Sequence, residues 1–277
     1  MVSPVYLYKD FYRKKAALFR YRERLRDVII NFLSIGKGIS GSSNWIRFPY
    51  YHHVFDDERA GFAKQLNYFR DFGEFISLSE VVTILEKKEK IKGQYFCITF
   101  DDGFLNNYTN AVPILIEKRA TATFFLPTNY IGRTFENDLD CLSQFFRNDH
   151  VVIEFLNWEQ CRQMLSAGME IGSHSVHHIQ FARLQPNQVI QELKQSKKYI
   201  ETNLGSVCDH FCMPFGVPNV DFDPERDRKL VKKAGYKSLS TTRRGPMYSG
   251  GDPYSIRRDH LLANWSTSQL RYFFSHD

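Results

Sequence analysis

The sequence predicts an α/β fold in which parallel strands alternate with helices. Short apolar segments rich in β-branched and aromatic residues, such as Tyr95 to Phe100, alternate with longer segments whose apolar residues recur at helical spacing. Helical segments end at glycines, as at Gly168 and Gly205. This alternation is typical of parallel strands in an open sheet or a barrel. With 277 residues, the chain is long enough to bury its own core.

The elements follow in order along the chain. The predicted strands are 45–51, 95–100, 121–127, 169–172, 210–214 and 236–241. The predicted helices are 57–72, 78–87, 108–118, 158–167, 186–203 and 227–234. Ser79 is the expected N-cap of the second of these helices. The stretch from Thr134 to Phe155, which contains Asp138 and Asp140, is expected to be an inserted loop.

The positive charge of the chain is confined to its beginning. Residues 1–49 hold ten Lys or Arg and three Asp or Glu, whereas the rest holds 27 basic and 28 acidic residues. A body without excess charge argues against nucleic-acid binding. Apolar residues at every seventh position, Phe11, Leu18, Leu25 and Phe32, predict a basic amphipathic helix. We expect it to pack on its own domain or on a partner subunit, or to contact an anionic membrane peripherally through residues 9–34.

The chain is predicted to divide at a Gly/Ser-rich linker, 37–43. Residues 1–43 would form the helical segment with its linker, and residues 44–277 the main domain. No apolar run reaches the length of a spanning helix, and Val28 to Ile35 is short for a signal peptide. The five cysteines form no CxxC pair, which favours reduced, buried thiols. These features predict a cytoplasmic protein, with the inner membrane as the surface it would touch.

Two carboxylates end a predicted buried strand. The motif is Thr99-Phe100-Asp101-Asp102-Gly103, in which the glycine permits a sharp turn. Ligands of parallel α/β folds bind at the carboxyl ends of strands. Neighbouring carboxylates there need a cation or a shared proton, because like charges raise each other's pKa.

A second motif, Gly172 to His178 (GSHSVHH), follows another predicted strand. His174 and His178 are four residues apart, a spacing that would put both rings on one face of a helical turn. Two such histidines with a strand-end aspartate suit a catalytic metal site with open positions. Zinc is the expected ion, and cobalt, nickel and manganese are alternatives. His177 should point elsewhere.

These ligands predict metal-assisted hydrolysis of an amide or an ester. With Asp102 as a ligand, Asp101 is free to act as the general base for a water whose pKa the metal lowers. A third motif, Phe211 to Gly216 (FCMPFG), follows a strand and turns through Pro214. Its backbone N–H groups are candidates for an oxyanion site, although alone it is a plain turn.

Together the three motifs resemble those of the polysaccharide deacetylase family, also called the NodB-homology family. TFDDG, HSVHH and FCMPFG match its first, second and third motifs, and the resemblance extends over residues 47–262. It implies a distorted (β/α) barrel with fewer than eight strands, a divalent metal, and a carbohydrate substrate that loses an acetyl group. By position, Asp101 matches the catalytic base, and Asp102, His174 and His178 match the metal ligands.

The resemblance also implies the remaining roles, with two departures. Phe215, next to Pro214, matches the residue whose backbone N–H holds the carbonyl oxygen. Many members carry an arginine in the third motif that orients the base, and Cys212 stands at that place. The usual C-terminal histidine motif of the general acid is not plainly present. In a branch that acts on exported amino-sugar polymers the acid is the histidine of Y-H-x-V, which here is His52; the rival is His260, otherwise a structural residue held by Asp259.

We therefore expect N-deacetylation of an amino sugar in a polysaccharide, an oligosaccharide or a surface-glycan precursor. Two alternatives stay open. One is an O-acetyl sugar esterase of the same family, and the other is a non-catalytic sugar-binding or membrane-surface module. The sequence does not predict the sugar, the linkage or the oligomeric state.

Overall fold

The computed structural model describes residues 4–13, 17–39, 43–146 and 152–275, and for residues 17–20, 23 and 24 the backbone alone. The strands are β1 (Trp45–Arg47), β2 (Pro49–Tyr51), β3 (Glu74–Phe75), β4 (Gln94–Phe96), β5 (Ile98–Phe100), β6 (Ala122–Leu126), β7 (Glu170–Ser173), β8 (His210–Cys212), β9 (Ser238–Ser240) and β10 (Asp259–His260). The helices are α1 (Tyr8–Arg13), α2 (Ala17–Leu33), α3 (Arg59–Arg70), α4 (Leu78–Glu86), α5 (Val112–Glu117), α6 (Leu139–Phe145), α7 (Trp158–Ser166), α8 (Pro186–Leu204), α9 (Pro224–Lys233) and α10 (Thr267–Phe274).

Seven parallel strands form the main sheet in the order β10-β2-β5-β6-β7-β8-β9. The segment that leads into β10 joins its two edges. Ile256 donates its N–H to Leu239 of β9 at 3.0 Å, while Asp259 and His260 pair with β2. The sheet therefore curls into an incomplete barrel. This confirms the predicted α/β class and the distorted barrel with fewer than eight strands.

Two predicted strands are each divided in the structure. The segment 45–51 forms β1 and β2, and 95–100 lies within β4 and β5, with breaks at Phe48 and Cys97. The first halves join β3 in a three-stranded sheet, while the second halves lie in the seven-stranded one. Phe48 and Cys97 are buried in one apolar cluster with residues of α4. An apolar run marks such a segment as buried, but it carries no signal for the bend that divides it.

The N-cap of α4 is Ser77, so the prediction of Ser79 is wrong. Ser77 accepts the N–H of Glu80 at 3.2 Å, and the Glu80 carboxylate accepts the N–H of Ser77 at 2.9 Å. This reciprocal capping box stabilises the first turn better than a lone serine two residues later. Ser79 instead lies 3.0 Å from the Nε2 atom of His210.

The basic beginning of the chain forms two helices, α1 and α2, with residues 14–16 outside the described part. One face of α2 packs on α10. Ile30 of α2 and Ser34, just after the helix, are buried, and Gln269 of α10 donates to Asp27 at 3.0 Å. Of the predicted linker, Ile39 is buried and residues 40–42 are not described. The predicted division at residue 43 stays a prediction. No helix within the described ranges combines the length and the apolar character needed to span a membrane.

The stretch predicted as an inserted loop contains a helix, α6. Its apolar residues pack with Val5, Phe55, Phe104 and Phe155 in a separate, aromatic-rich cluster. Aromatic contacts bring α6 to the mouth of the barrel, where the Phe145 ring lies 4.8 Å from that of His178. Residues 147–151 of this stretch are not described.

Candidate metal and catalytic site

The predicted site residues meet at the carboxyl ends of neighbouring parallel strands. Asp101 and Asp102 follow β5, His174 follows β7, and His52 follows β2. His260 is the last residue of β10, which pairs with β2. Since β10, β2 and β5 are adjacent and β7 is two strands further on, the sheet gathers these side chains at one mouth of the barrel.

Two histidine rings converge on one oxygen atom of Asp102. The Nε2 atoms of His178 and His174 lie 3.2 and 3.5 Å from Oδ1 of Asp102. This oxygen is buried and makes no hydrogen bond with any described residue. Burial raises the pKa of Asp102, but the charges of the surrounding histidines outweigh it, so the pKa lies below its usual range. A buried carboxylate oxygen without a donor, faced by two ring nitrogens, has the donor set of a divalent-metal site.

The orientation of the His174 ring is fixed from behind. Its Nδ1 atom lies 2.8 Å from the carbonyl oxygen of Cys212. A carbonyl can only accept, so Nδ1 carries the proton and Nε2 presents its lone pair towards Asp102. Burial lowers the pKa of His174 to about 4, which keeps the ring neutral at pH 7. A neutral imidazole with an oriented lone pair is the form that binds a metal.

The two histidines do not lie on a helical turn, so that part of the prediction is wrong. Residues 174–180 form an irregular loop, in which Ser175 and His178 have positive φ angles of 66° and 53°. Asp102 and Phe215 also have positive φ, at 70° and 61°. Each such angle is unfavourable for a residue with a Cβ atom, by about 1 kcal/mol or more. This left-handed backbone, rather than helical spacing, brings the rings together.

His177, the remaining histidine of the motif, turns away from the candidate metal ligands. The Nδ1 atom of His177 lies 2.6 Å from Oε1 of Glu192, and its side chain is half exposed. The other oxygen of Glu192 accepts the N–H groups of Val176 and His177 at 2.9 and 3.0 Å. Glu192 thus holds the backbone of the loop between the two ligand histidines.

Asp101 forms a buried, two-pronged ion pair with Arg258. Nη1 and Nη2 of Arg258 donate to its two oxygens at 2.7 and 2.8 Å. Burial raises the pKa of Asp101, but the charge and hydrogen bonds of Arg258 lower it by more, so the pKa is below its usual value. Asp101 is therefore an oriented carboxylate that stays ionised near neutral pH.

Arg258 is the residue that the sequence analysis missed. It is fully buried, and its remaining donors reach the carbonyl of Thr241 at 3.0 Å, the hydroxyl of Thr99 at 3.1 Å and the sulfur of Cys212 at 2.9 Å. All five N–H groups thus have partners. The sequence did hold a signal for it. Asp101 matches the family's base, but Cys212 stands where many members carry the arginine that orients it, so a cation for Asp101 had to come from elsewhere in the chain.

Both candidate general acids lie at the mouth. The Nε2 atom of His52 is 4.0 Å from Oδ2 of Asp102, and a third of its side chain is exposed. His260 lies behind it, with ring centroids 5.1 Å apart, and burial lowers the pKa of His260 to about 3. As a structural residue, His260 was expected to be held by Asp259. Within the described residues, the ion-pair partners of Asp259 are instead Arg47 at 3.7 Å and Arg244 at 3.9 Å.

The third motif lies across the mouth. Phe215 follows Pro214 in the turn after β8, and its ring lies 4.9 Å from that of His178. It is partly exposed, at 37 %. A cavity of about 370 Å³ borders His178, Phe215 and Phe145, and another of about 240 Å³ borders His52 and His260. The candidate metal ligands therefore lie beside a cleft with room on two sides.

Comparisons with known proteins identify the family of the chain. Residues 88–239 match the family model described as polysaccharide deacetylase. A putative polysaccharide deacetylase, YxkH, of Bacillus subtilis is 26 % identical over 75 % of this chain, which spans 66 % of that protein. A poly-β-1,6-N-acetyl-D-glucosamine N-deacetylase of Staphylococcus aureus is 24 % identical over 92 % of this chain and 84 % of its own length.

Solved structures share the fold. The structure of IcaB from Ammonifex degensii superposes with a TM-score of 0.69 at 20 % identity, covering 84 % of this chain and 98 % of that one. The Streptococcus pyogenes deacetylase PplD, in complex with acetate, superposes with a TM-score of 0.64 at 24 % identity, covering 83 % and 96 %. Because the family model matches more than half of the chain, this protein belongs to the polysaccharide deacetylase family and is a carbohydrate deacetylase.

Proposed function

We propose that this protein is a metal-dependent hydrolase that removes N-acetyl groups from a polymer of N-acetylated amino sugars. The observation that carries the proposal is the buried Oδ1 atom of Asp102, which has no hydrogen bond among the described residues and is faced by Nε2 of His174 and of His178. The name of the Staphylococcus aureus relative supports the choice of substrate.

Asp102, His174 and His178 would hold the ion. Two imidazoles and one carboxylate suit zinc, and they also suit cobalt, nickel or manganese. When bound, such an ion lowers the pKa of a water and polarises the acetyl carbonyl. The hydrogen bond from His174 to the carbonyl of Cys212 supports this role, because it sets the tautomer that a ligand needs.

Asp101 would accept the proton of the attacking water. Its pKa is held low by Arg258, so the carboxylate is ionised and ready to accept at neutral pH. Arg258 occupies both of its oxygens with short hydrogen bonds and thereby fixes the plane of the carboxylate. Alignment of a base with its water is worth about 10²- to 10⁴-fold in rate.

His52 would protonate the departing amine. Of the two candidate acids it is the one near Asp102, with Nε2 at 4.0 Å from Oδ2, and a third of its side chain is exposed. Deeper burial of His260 favours its neutral form, which makes it the weaker candidate. The backbone N–H of Phe215, in the turn that follows β8, would donate a hydrogen bond to the carbonyl oxygen of the acetyl group.

The test is acetate release with controlled metal content. Protein stripped with a chelator and reloaded with zinc, cobalt, nickel or manganese is assayed on β-1,6-linked N-acetylglucosamine oligomers and on O-acetylated xylan oligomers. We expect amine and acetate to appear only with metal and only from the N-acetyl substrates. Full activity after stripping would contradict the metal, and release from the O-acetyl substrate alone would establish the esterase instead.

The general acid is tested separately. His52→Ala should lower kcat on the amide substrate by about 10²-fold, because an amine is a poor leaving group without a proton. An activated ester such as 4-nitrophenyl acetate needs no such proton and should lose less. His260→Ala is the matched control. A larger loss in His260→Ala than in His52→Ala would reverse the assignment.

We propose further that α2 contacts an anionic membrane surface. One side of this helix packs on α10, whereas the opposite side, together with Ile35 just after the helix, is apolar and exposed. The exposed residues are Tyr21 67 %, Leu25 49 %, Val28 67 %, Phe32 74 % and Ile35 73 %. Arg22, on the same helix, is exposed, and basic residues beside an apolar stripe suit anionic headgroups.

Vesicle co-sedimentation tests this contact. The full chain should bind vesicles that contain phosphatidylglycerol, and binding should fall with salt and in the double variant Val28→Ser, Phe32→Ser. Equal binding by the variant would contradict the proposal. A dimer in solution that the same variant dissolves would assign the stripe to a second copy of the chain.

A further inference from the structure

A cavity of about 240 Å³ beside His52 is closed on one side by α1. Its lining includes Tyr8 and Phe11 of that helix, His53, Glu58 and residues 260–263. Aromatic rings form much of this lining: the Phe11 ring lies 5.9 Å from that of His53, and the Tyr8 ring 6.1 Å from that of Phe55. Because His52 lines the cavity and Asp102, His174 and His178 do not, the cavity lies beside the candidate ligands rather than among them.

The wall formed by α1 is fixed by hydrogen bonds. The carboxylate of Asp57 accepts the N–H groups of Tyr8 at 2.7 Å and Lys9 at 3.2 Å. The strand-like residues before the helix are held as well, since Val5 donates its N–H to Val152 at 3.0 Å. Val5 itself is buried. The helix is thus part of the cleft, and the position of Phe11 is set before any ligand binds.

The cavity is also lined by the carboxyl group of Glu58, which is 3 % exposed. Its Oε2 atom accepts the N–H of Phe55 at 3.1 Å, while Oε1 is covered by the protein and has no hydrogen bond within the described part of the chain. Burial raises the pKa of Glu58 to about 8, although nearby backbone N–H groups lower it, so the group is mostly neutral at pH 7. Glu58 therefore leaves this wall of the cavity largely uncharged.

We propose that this cavity binds the sugar next to the one that loses its acetyl group, with Phe11 against the apolar face of the ring. A pyranose has an apolar C–H face, which matches an aromatic and uncharged wall. This rests on the proposed function, and it makes the preferred substrate an oligomer rather than a single sugar.

The test is the dependence of kcat/KM on substrate length. N-acetylglucosamine and its β-1,6-linked oligomers of two to five units serve as probes with the metal-loaded full chain. For the wild type, kcat/KM should rise with length, and Phe11→Ala should lose about tenfold of that rise, mainly through KM. Tyr199→Ala, which removes an exposed aromatic ring on α8, is the matched control and should keep it.

Further variants separate ring stacking from folding. Phe11→Leu keeps the apolar volume, so it should fold as the wild type does and still lose the gain with length, whereas Phe11→Tyr should retain it. A full gain in Phe11→Leu, or equal kcat/KM for one and five units in the wild type, would overturn the subsite alone. Absence of acetate from every probe would instead overturn the proposed function.

Discussion

The two halves of the candidate site are built in different ways. The ligand half, the proposed metal ligands Asp102, His174 and His178, comes from two short motifs whose side chains are placed by the local backbone. The base half joins Asp101 to Arg258, which lies 157 positions further along the chain. Arg258 reaches the barrel interior only because the segment before β10 joins β9 to β2. Under the proposed function, metal binding would therefore depend on loop conformation, while alignment of the proposed base would depend on closure of the barrel.

Removal of a metal ligand should give the largest effect. His174→Ala and Asp102→Ala should each lower deacetylation by at least about 10³-fold, because the water would lose the pKa depression that a metal supplies. Metal content after dialysis, measured by elemental analysis, should fall in parallel. Stability should change little in comparison with activity, since the ligand half is assembled by local backbone. Retention of both metal and turnover by either variant would contradict the ligand set.

Removal of Arg258 should affect stability as well as activity. Arg258→Met leaves the carboxylate of Asp101 buried without its cation, and breaking a buried pair in this way costs about 3–5 kcal/mol. We expect turnover to fall by about 10²-fold and the urea midpoint to drop clearly, whereas metal content should be retained.

A second substitution tests whether the cation alone matters. In Arg258→Met combined with Cys212→Arg, a guanidinium would start from the position whose sulfur lies 2.9 Å from Nη2 of Arg258. Partial recovery of turnover and stability is expected. If Arg258→Met retained both turnover and the urea midpoint, the base half would not depend on the buried pair.

The same division explains what the sequence could predict. Asp101, Asp102, His174 and His178 lie within contiguous motifs in the 152-residue region that matches the family model, 88–239. Arg258 and the partners of α1 lie outside it, and nothing in a local pattern tells which distant strand will face Asp101. The bends at Phe48 and Cys97 and the positive φ angles of Ser175 and His178 are likewise imposed by packing, against local preference.

A buried carboxyl that lacks a cation should behave in the opposite way to Asp101. Burial raises the pKa of Glu58 to about 8 in the folded protein, above the ordinary value of about 4.3 expected in the unfolded chain. Between these values the folded state keeps a proton that the unfolded state loses, so Glu58 makes stability fall as the pH rises, by up to about 1.4 kcal/mol per pH unit.

Glu58→Gln removes this titration and keeps an acceptor for the N–H of Phe55. The urea midpoints of the variant and the wild type are compared from pH 5 to pH 9. The difference between them should shift in favour of the variant as the pH rises towards 8. Parallel curves for the two proteins would mean that Glu58 ionises normally. Asp101 contributes the reverse dependence, because its lowered pKa stabilises the fold above about pH 4 and this contribution is lost in stronger acid.

His177 should give the smallest effect, although it lies between the two ligand histidines. Its ring is half exposed and paired with Glu192, and the loop keeps its shape without the ring because Glu192 still accepts two backbone N–H groups. His177→Ala should therefore stay within about threefold of wild-type turnover and retain its metal. Glu192→Ala removes the acceptor for both N–H groups and should lose more turnover and more metal than His177→Ala does. A loss in His177→Ala as large as that in His174→Ala would mean that the ring, rather than the backbone it adjoins, belongs to the ligand half.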